Sequence, residues 1–241
     1  EFVLHDLLSQ ASPEFQPKRD VTLHSPLDRA AKTIGGKFSK QPLVEAGVRQ
    51  TLGRAYWGLG AYQEAQLHLE RELALRSANQ GSEHRDTLGV LNNLAILATE
   101  QARFADAEKR FRELLDRESR LMPENSPRVL VIKNNLANVL NKLDRASEAE
   151  AICREALPTS RDVCGPDHPD TLNLSETLAL AIRGQRRHAE AEKLIREALQ
   201  ERRKVQGSAH PTTLRVMNNL VAILAEQDRH ADAEAGYREV L

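Results

Sequence analysis

His84-Arg85-Asp86 is the most chemically suggestive triplet in the chain, because H-R-D opens a phosphotransferase catalytic loop in which the aspartate accepts a hydroxyl proton. That loop needs an asparagine five residues after the aspartate, and position 91 is Leu. No Gly-rich phosphate loop, V-A-I-K lysine or D-F-G accompanies it, and Gly35-Gly36-Lys37 lacks the rest of a P-loop and reads as a helix stop. His84, His168 and His210 raise the question of a metal. They share one repeat position with Ser126, so stacked helices would hold them about 10 Å or more apart, too far to share an ion with ligand distances of about 2 Å. Cys153 and Cys164 have neither C-x-x-C spacing nor a histidine placed to activate them. The residues therefore point to no catalytic group, no metal and no cofactor.

The asparagines are harder to dismiss. Asn92-Asn93 lies inside the helical run "VLNNLAILATE", and Asn134-Asn135 and Asn218-Asn219 repeat it. Asn is a poor helix former because its amide competes for the backbone, so the repetition calls for a return elsewhere.

Composition narrows the setting. Of 241 residues 40% are hydrophobic, with nine aromatics, so a core must rely on Leu, Ile, Val and Ala, a helical profile. Lys+Arg 34 against Asp+Glu 35 gives no electrostatic case for nucleic acid or an anionic membrane. No apolar run approaches the roughly 20 residues that span a bilayer, so membrane insertion by this stretch is not expected. "EFVLHDLLSQ" has no basic leader region, and the lack of an initiator Met suggests a piece of a longer chain. Compartment is left open.

The elements emerge by subtraction. Leu52, Leu94, Leu136, Leu178 and Leu220 fall 42 apart, as do Ala65, Ala107, Ala149, Ala191 and Ala233, with Ala-Glu recurring at 107, 149, 191 and 233. Leu91, Leu94, Ala95 and Ala98 form one helical stripe and Phe104, Ala107, Phe111 and Leu114 a second. "GLGA", "EQAR" and "GQRR" mark tight turns between them, and Pro127, Pro169 and Pro211 mark helix starts. The expected organisation is a helical cap and extended linker over 1–41, then five helix pairs at about 42–83, 84–125, 126–167, 168–209 and 210–241. Such pairs must stack to bury their apolar faces, which predicts an all-α fold, an α-solenoid of antiparallel helix pairs.

The pattern "NNLA", then Q/G-x-R/A-aromatic-x-x-A-E, then "FREL", resembles the tetratricopeptide repeat in the 42-residue form typified by kinesin light chain. The fourth copy departs, with "SETLA" in place of "NNLA". The resemblance implies a right-handed superhelix whose first helices line a concave groove. On that face fall Asn92, Thr99, Asn134, Asn138, Asn141 and Asn218, with Arg54, Trp57, Lys142, Arg183 and Arg215 as charged or aromatic neighbours. Amides can pair with the backbone of an extended peptide, and cations among them favour an acidic or C-terminal carboxylate. Asn93, Asn135 and Asn219, one step round the helix, read as the structural set.

Residues 1–65 are also similar to the segment between membrane span and repeat array of bacterial membrane-anchored serine/threonine kinases, through Asp6, Leu7, Leu8, Asp20, Val21, Thr22, Leu27, Asp28, Ala30, Pro42, Glu45, Ala46, Leu52, Gly53, Arg54 and Tyr56. The expectation is a non-catalytic module that binds a protein or peptide. The alternatives are the docking region of such a kinase and a scaffold that self-associates into a homodimer through exposed ends.

Overall fold

The computed structural model describes residues 24–38 and 40–240. Among them are eleven helices and no strand: α1 His24–Lys37, α2 Pro42–Gly58, α3 Tyr62–Gln80, α4 Arg85–Glu100, α5 Phe104–Leu121, α6 Pro127–Lys142, α7 Ala146–Cys164, α8 Pro169–Gly184, α9 His188–Gln206, α10 Pro211–Ala225 and α11 His230–Val240. The described residues divide into two compact units, one up to Ala102 and one from Arg103. The all-α array of antiparallel helix pairs expected from the periodicity is what each shows. The expectations for "FVLHDLLSQ" and for the extended linker fall outside the described residues.

Helix starts follow the signals in the loops. His84, His168 and His210 each adopt extended backbone and accept, through Nδ1, the N–H two residues on, from Asp86, Asp170 and Thr212 at 3.2, 3.2 and 3.3 Å. The imidazole Nδ1 thus serves where a Ser or Asp oxygen usually caps. Pro127, Pro169 and Pro211 occupy the first helical turn, where a missing N–H costs nothing. One expected stop differs: α1 continues through Gly35 and Gly36 to Lys37, because Ile34 is fully buried and Phe38 packs on the same cluster, and packing overrides the weak helix propensity of glycine.

The turns repeat too. Gly60, Ala102, Asp144, Arg186 and Asp228 stand 42 apart, all left-handed, with φ between 55 and 73°. After α6, Arg145 N–H reaches back to Leu140 C=O at 2.9 Å, the six-to-one bond of a Schellman stop. Gly81, Gly165 and Gly207 close α3, α7 and α9 with φ 95, 103 and 83° and ψ near 160°, a region open essentially to glycine alone. Gly165→Ala should therefore cost about 1–3 kcal/mol, measured by urea unfolding; Gly89→Ala, in a helix with open space at the Cβ, should be neutral or stabilising. Equal effects would refute the backbone argument.

In unit 1, Leu27, Ala30 and Ile34 of α1 pack into one cluster with Leu52 and Tyr56 of α2, Ala65 and Leu69 of α3, and Val90, Leu94 and Leu97 of α4. Each fully buried Leu or Ile contributes about 1.5–3 kcal/mol. Gly53 lets α3 approach, since a Cβ there would lie 3.1 Å from Leu69 Cγ.

In unit 2 consecutive helices from α5 to α11 pack in sequence, and α6 also meets α8. Ala107, Ala149 and Ala191 are completely buried, which lets the second helix of each pair come close. The glutamate after each of these alanines joins neighbours: Arg145 donates to both oxygens of Glu108, Arg187 to both of Glu150, and Arg229 to both of Glu192, all at 2.7–2.9 Å. Burial alone would raise the Glu150 carboxyl, but hydrogen bonds from Arg154, Gln185 and Arg187 outweigh it and hold the group below the usual carboxylate range.

Candidate functional site

The first helices α6, α8 and α10 of unit 2 carry most of the expected binding residues. The structure gathers Asn138, Asn141, Lys142 and Arg183 around one cleft of ≈ 660 Å³, together with Asp144, Leu180, Gly184, Arg186, His188 and Glu226. It lies where α6 and α8 turn into α7 and α9, so side chains from three successive helix pairs converge there.

Their availability differs. Lys142, in the last turn of α6, is exposed and Asn138 half-buried, and neither side chain is paired with a described residue. Arg183 is engaged: its Nε donates to Glu226 Oε2 at 2.8 Å and its Nη2 to Glu226 Oε1 at 2.5 Å. Asn141 Nδ2 donates to the Thr177 carbonyl at 3.2 Å, leaving Oδ1 buried without a partner, and buried His188 Nδ1 lies 3.4 Å from Glu226 Oε2.

Arg186 was not singled out by sequence. It is exposed, lines the cleft, and holds the left-handed turn position at φ 61°, which costs a non-glycine residue about 1–2 kcal/mol. Its signal was available: the equivalent position in the first repeat is Gly60.

Asn134 changes role. It is 7% exposed, and its Oδ1 accepts the Thr177 hydroxyl at 2.7 Å, tying α6 to α8. The side chain is thus withdrawn from the open face and belongs to the packing, while Asn135, expected in the structural set, is only half-buried. The irregular fourth copy explains this. Its "SETLA" puts Glu176 where the other copies have the first asparagine and Thr177 where they have the second, and Thr177 is the partner of both Asn134 and Asn141.

Glu176 forms the other feature of α8. It is 2% exposed and takes a charge-assisted hydrogen bond from buried Arg202, which also donates to Asn173 Oδ1 at 2.6 Å; Arg215 Nη2 stands 2.7 Å from Glu176 Oε2. Arg215 is therefore partly committed inside the fold. Asn218 on α10 is exposed.

In unit 1, Arg54 is exposed on α2 and Asn92 half-buried on α4. Thr99 returns its hydroxyl to the Ala95 carbonyl at 3.0 Å, and Trp57 Nε1 donates to Glu100 Oε2 at 2.5 Å while its ring packs on the unit core. These residues stay on the α2 and α4 faces of unit 1.

Cys153 is fully buried and desolvation pushes its thiol up to about 12, so it is a small core residue and a poor nucleophile at neutral pH. No three His, Cys, Asp or Glu side chains converge as a metal site among the described residues, and no helix there is long and apolar enough to cross a membrane.

Tetratricopeptide-repeat family models match residues 46–117 and 173–241 in one form and 129–170 in another, covering most of the chain. The chain belongs to the tetratricopeptide-repeat family. Solved structures agree on the fold of this tetratricopeptide-repeat protein. A candidate kinesin light chain from Podosopora anserina with nearly identical TPR-like repeats shares 20% identity and a TM-score of 0.67, over 83% of this chain and 94% of that one. BtubC (BKLC) from P. vanneervenii has 19% identity and a TM-score of 0.68, over 100% and 90%. A Rap protein complexed with Competence and Sporulation Factor has 11% identity and a TM-score of 0.71, over 99% and 62%. No curated protein matches the sequence significantly.

Several residues on which the expected kinase-segment resemblance rests serve packing in this fold. Leu27, Ala30, Leu52 and Tyr56 are core residues joining α1 to α2, Gly53 permits the α2–α3 approach, and Asp28 accepts the Tyr56 hydroxyl at 2.7 Å. Asp6, Leu7, Leu8, Asp20, Val21 and Thr22 lie outside the described residues.

Proposed function

We propose that the chain is a non-catalytic protein-interaction module, and that unit 2 binds an acidic peptide segment across α6, α8 and α10. The observation that carries this is the cleft, where the amide of Asn138 and the cations of Lys142 and Arg186 converge without partners in the fold. Asp144 opposes part of this charge, but Glu226 neutralises only Arg183, so the open cations keep the cleft suited to carboxylates. The fold of the family favours the same class of partner, because stacked helix pairs present an extended face to a ligand.

The test is fluorescence anisotropy with a fluorescein-labelled dodecapeptide of alternating Asp and Ala, against a Ser-Ala control. Lys142→Glu/Arg186→Glu should weaken the acidic peptide by about tenfold or more, with the melting temperature little changed because both side chains are exposed. Binding of the acidic peptide by the double variant as tightly as by the parent protein would reject the cleft as its site.

A further inference from the structure

Two donors share a repeat position, and their acceptors share another. Positions 57, 99, 141 and 183 are equivalent, and positions 100 and 226 each lie 43 residues after one of them. Within unit 1 the donor is Trp57 and the acceptor Glu100; within unit 2 the donor is Arg183 and the acceptor Glu226. At position 141 the corresponding partner is Gly184, which has no carboxylate, and there the Asn141 oxygen is left without a donor.

The Glu226 contact has the form of a bound ligand. Its carboxylate meets the Arg183 guanidinium through two parallel N–H···O bonds, the fork geometry by which arginine recognises carboxylates in general. Glu226 is also placed where it can leave. It caps the C-terminus of α10, where backbone carbonyls disfavour a negative charge, and its side chain is 39% exposed. What holds it is Arg183, with His188 Nδ1 3.4 Å from Oε2. The Arg183 hydrogen bond keeps this carboxyl below the usual range, so it remains an anion.

We propose that Arg183 is a carboxylate subsite already filled from within, and that an acidic peptide enters the cleft by displacing Glu226. This rests on the peptide-binding reading above and sharpens it. Glu226 sets the threshold for entry: a neutral segment has nothing to exchange for it, whereas a carboxylate held by Lys142 and Arg186 can bring a second one to Arg183. Trp57 and Glu100 repeat the arrangement in unit 1 with an indole as donor.

The experiment uses the same Asp-Ala dodecapeptide with the parent chain, Glu226→Gln, Arg183→Gln and the double variant. Glu226→Gln should bind about three- to fivefold more tightly, as expected when a partly exposed competing ion pair is removed, and its melting temperature should stay level or fall. Arg183→Gln should weaken binding, and the double variant should lose the gain. A Glu226→Gln protein that binds no better than the parent, while Lys142→Glu/Arg186→Glu still abolishes binding, overturns the displacement and leaves the cleft standing. Absence of binding by both the parent and Glu226→Gln overturns both.

Discussion

Arg202→Leu should destabilise the protein by about 3–5 kcal/mol at pH 7, because it strands a carboxylate that the fold has already removed from water. Arg202 and Glu176 are 1% and 2% exposed, and Arg215 alone, itself half in solvent, would remain to balance the charge. Burial pushes the Glu176 carboxyl above its ordinary range, and Arg215 and Arg202 only partly offset it. With Arg202 gone the folded-state value rises further. The folded protein then binds a proton that the unfolded chain releases above about pH 4.3, so stability should recover as pH falls from 7 toward 5 and be lost again as it rises. The parent chain should show the same trend more weakly. Urea unfolding at the two pH values checks this, and Arg202→Leu/Glu176→Leu should regain most of the loss at pH 7. A loss under about 1 kcal/mol, independent of pH, would mean that water reaches Glu176 and that Arg202 is not needed to hold its charge.

The second large effect is expected at Tyr56. Tyr56→Ala should cost unit 1 about 3–5 kcal/mol, the usual range for emptying a buried aromatic site, and should free α1 from α2. The ring is 1% exposed, stacks on His68 at a centroid distance of 5.4 Å, and holds Asp28 of α1 through its hydroxyl. His68 is buried as well, and burial beside Arg49 pulls it down to about 4, so it stays a neutral ring under Tyr56 at physiological pH. Tyr56→Phe keeps the ring and releases only Asp28, which lies at the surface and can be rehydrated; about 0.5–1.5 kcal/mol is expected. Amide exchange at residues 27–34 should accelerate strongly for the alanine variant and slightly for phenylalanine. Unchanged protection of α1 in Tyr56→Ala would show that the apolar contacts of Ile34 and Ala30 suffice.

The helical architecture was legible in the sequence because its signals are local and repeated. Leu at 52, 94, 136, 178 and 220 marks one buried stripe, Ala at 65, 107, 149 and 191 marks the close approach of paired helices, and His-Pro pairs mark helix starts. The binding face was harder to read, since occupancy of a polar side chain depends on its neighbour in the next repeat. Asn134 and Asn138 look alike along the chain, yet one is consumed by Thr177 and the other is open. The clue was the fourth copy: a departure that brings Ser-Glu-Thr to a slot of asparagines also changes what the preceding helix must do. The glutamates at 108, 150 and 192 were visible as half of a recurring dipeptide, but their bond to an arginine 37 residues later appears only when the pairs are stacked.

Those glutamate–arginine bonds contrast with the joints at the far ends of the second helices. Arg76 of α3 meets Asp86 of α4, whereas at the same two positions one repeat later Glu118 of α5 meets Arg128 of α6, with the signs exchanged. In the next copy Ser160 takes the first of these positions and pairs instead with the hydroxyl of Thr171, one residue beyond the second, at 2.8 Å. A newly copied segment inserted by gene duplication among copies two to five would find its outer bonds ready-made, because each of these copies carries both the arginine and the glutamate. Duplicating the second copy would set Glu118 against Asp86, like charge against like, and duplicating the third would leave Arg128 facing Ser160, so the order of these segments is written into the joints, and lengthening the array there requires compensating change.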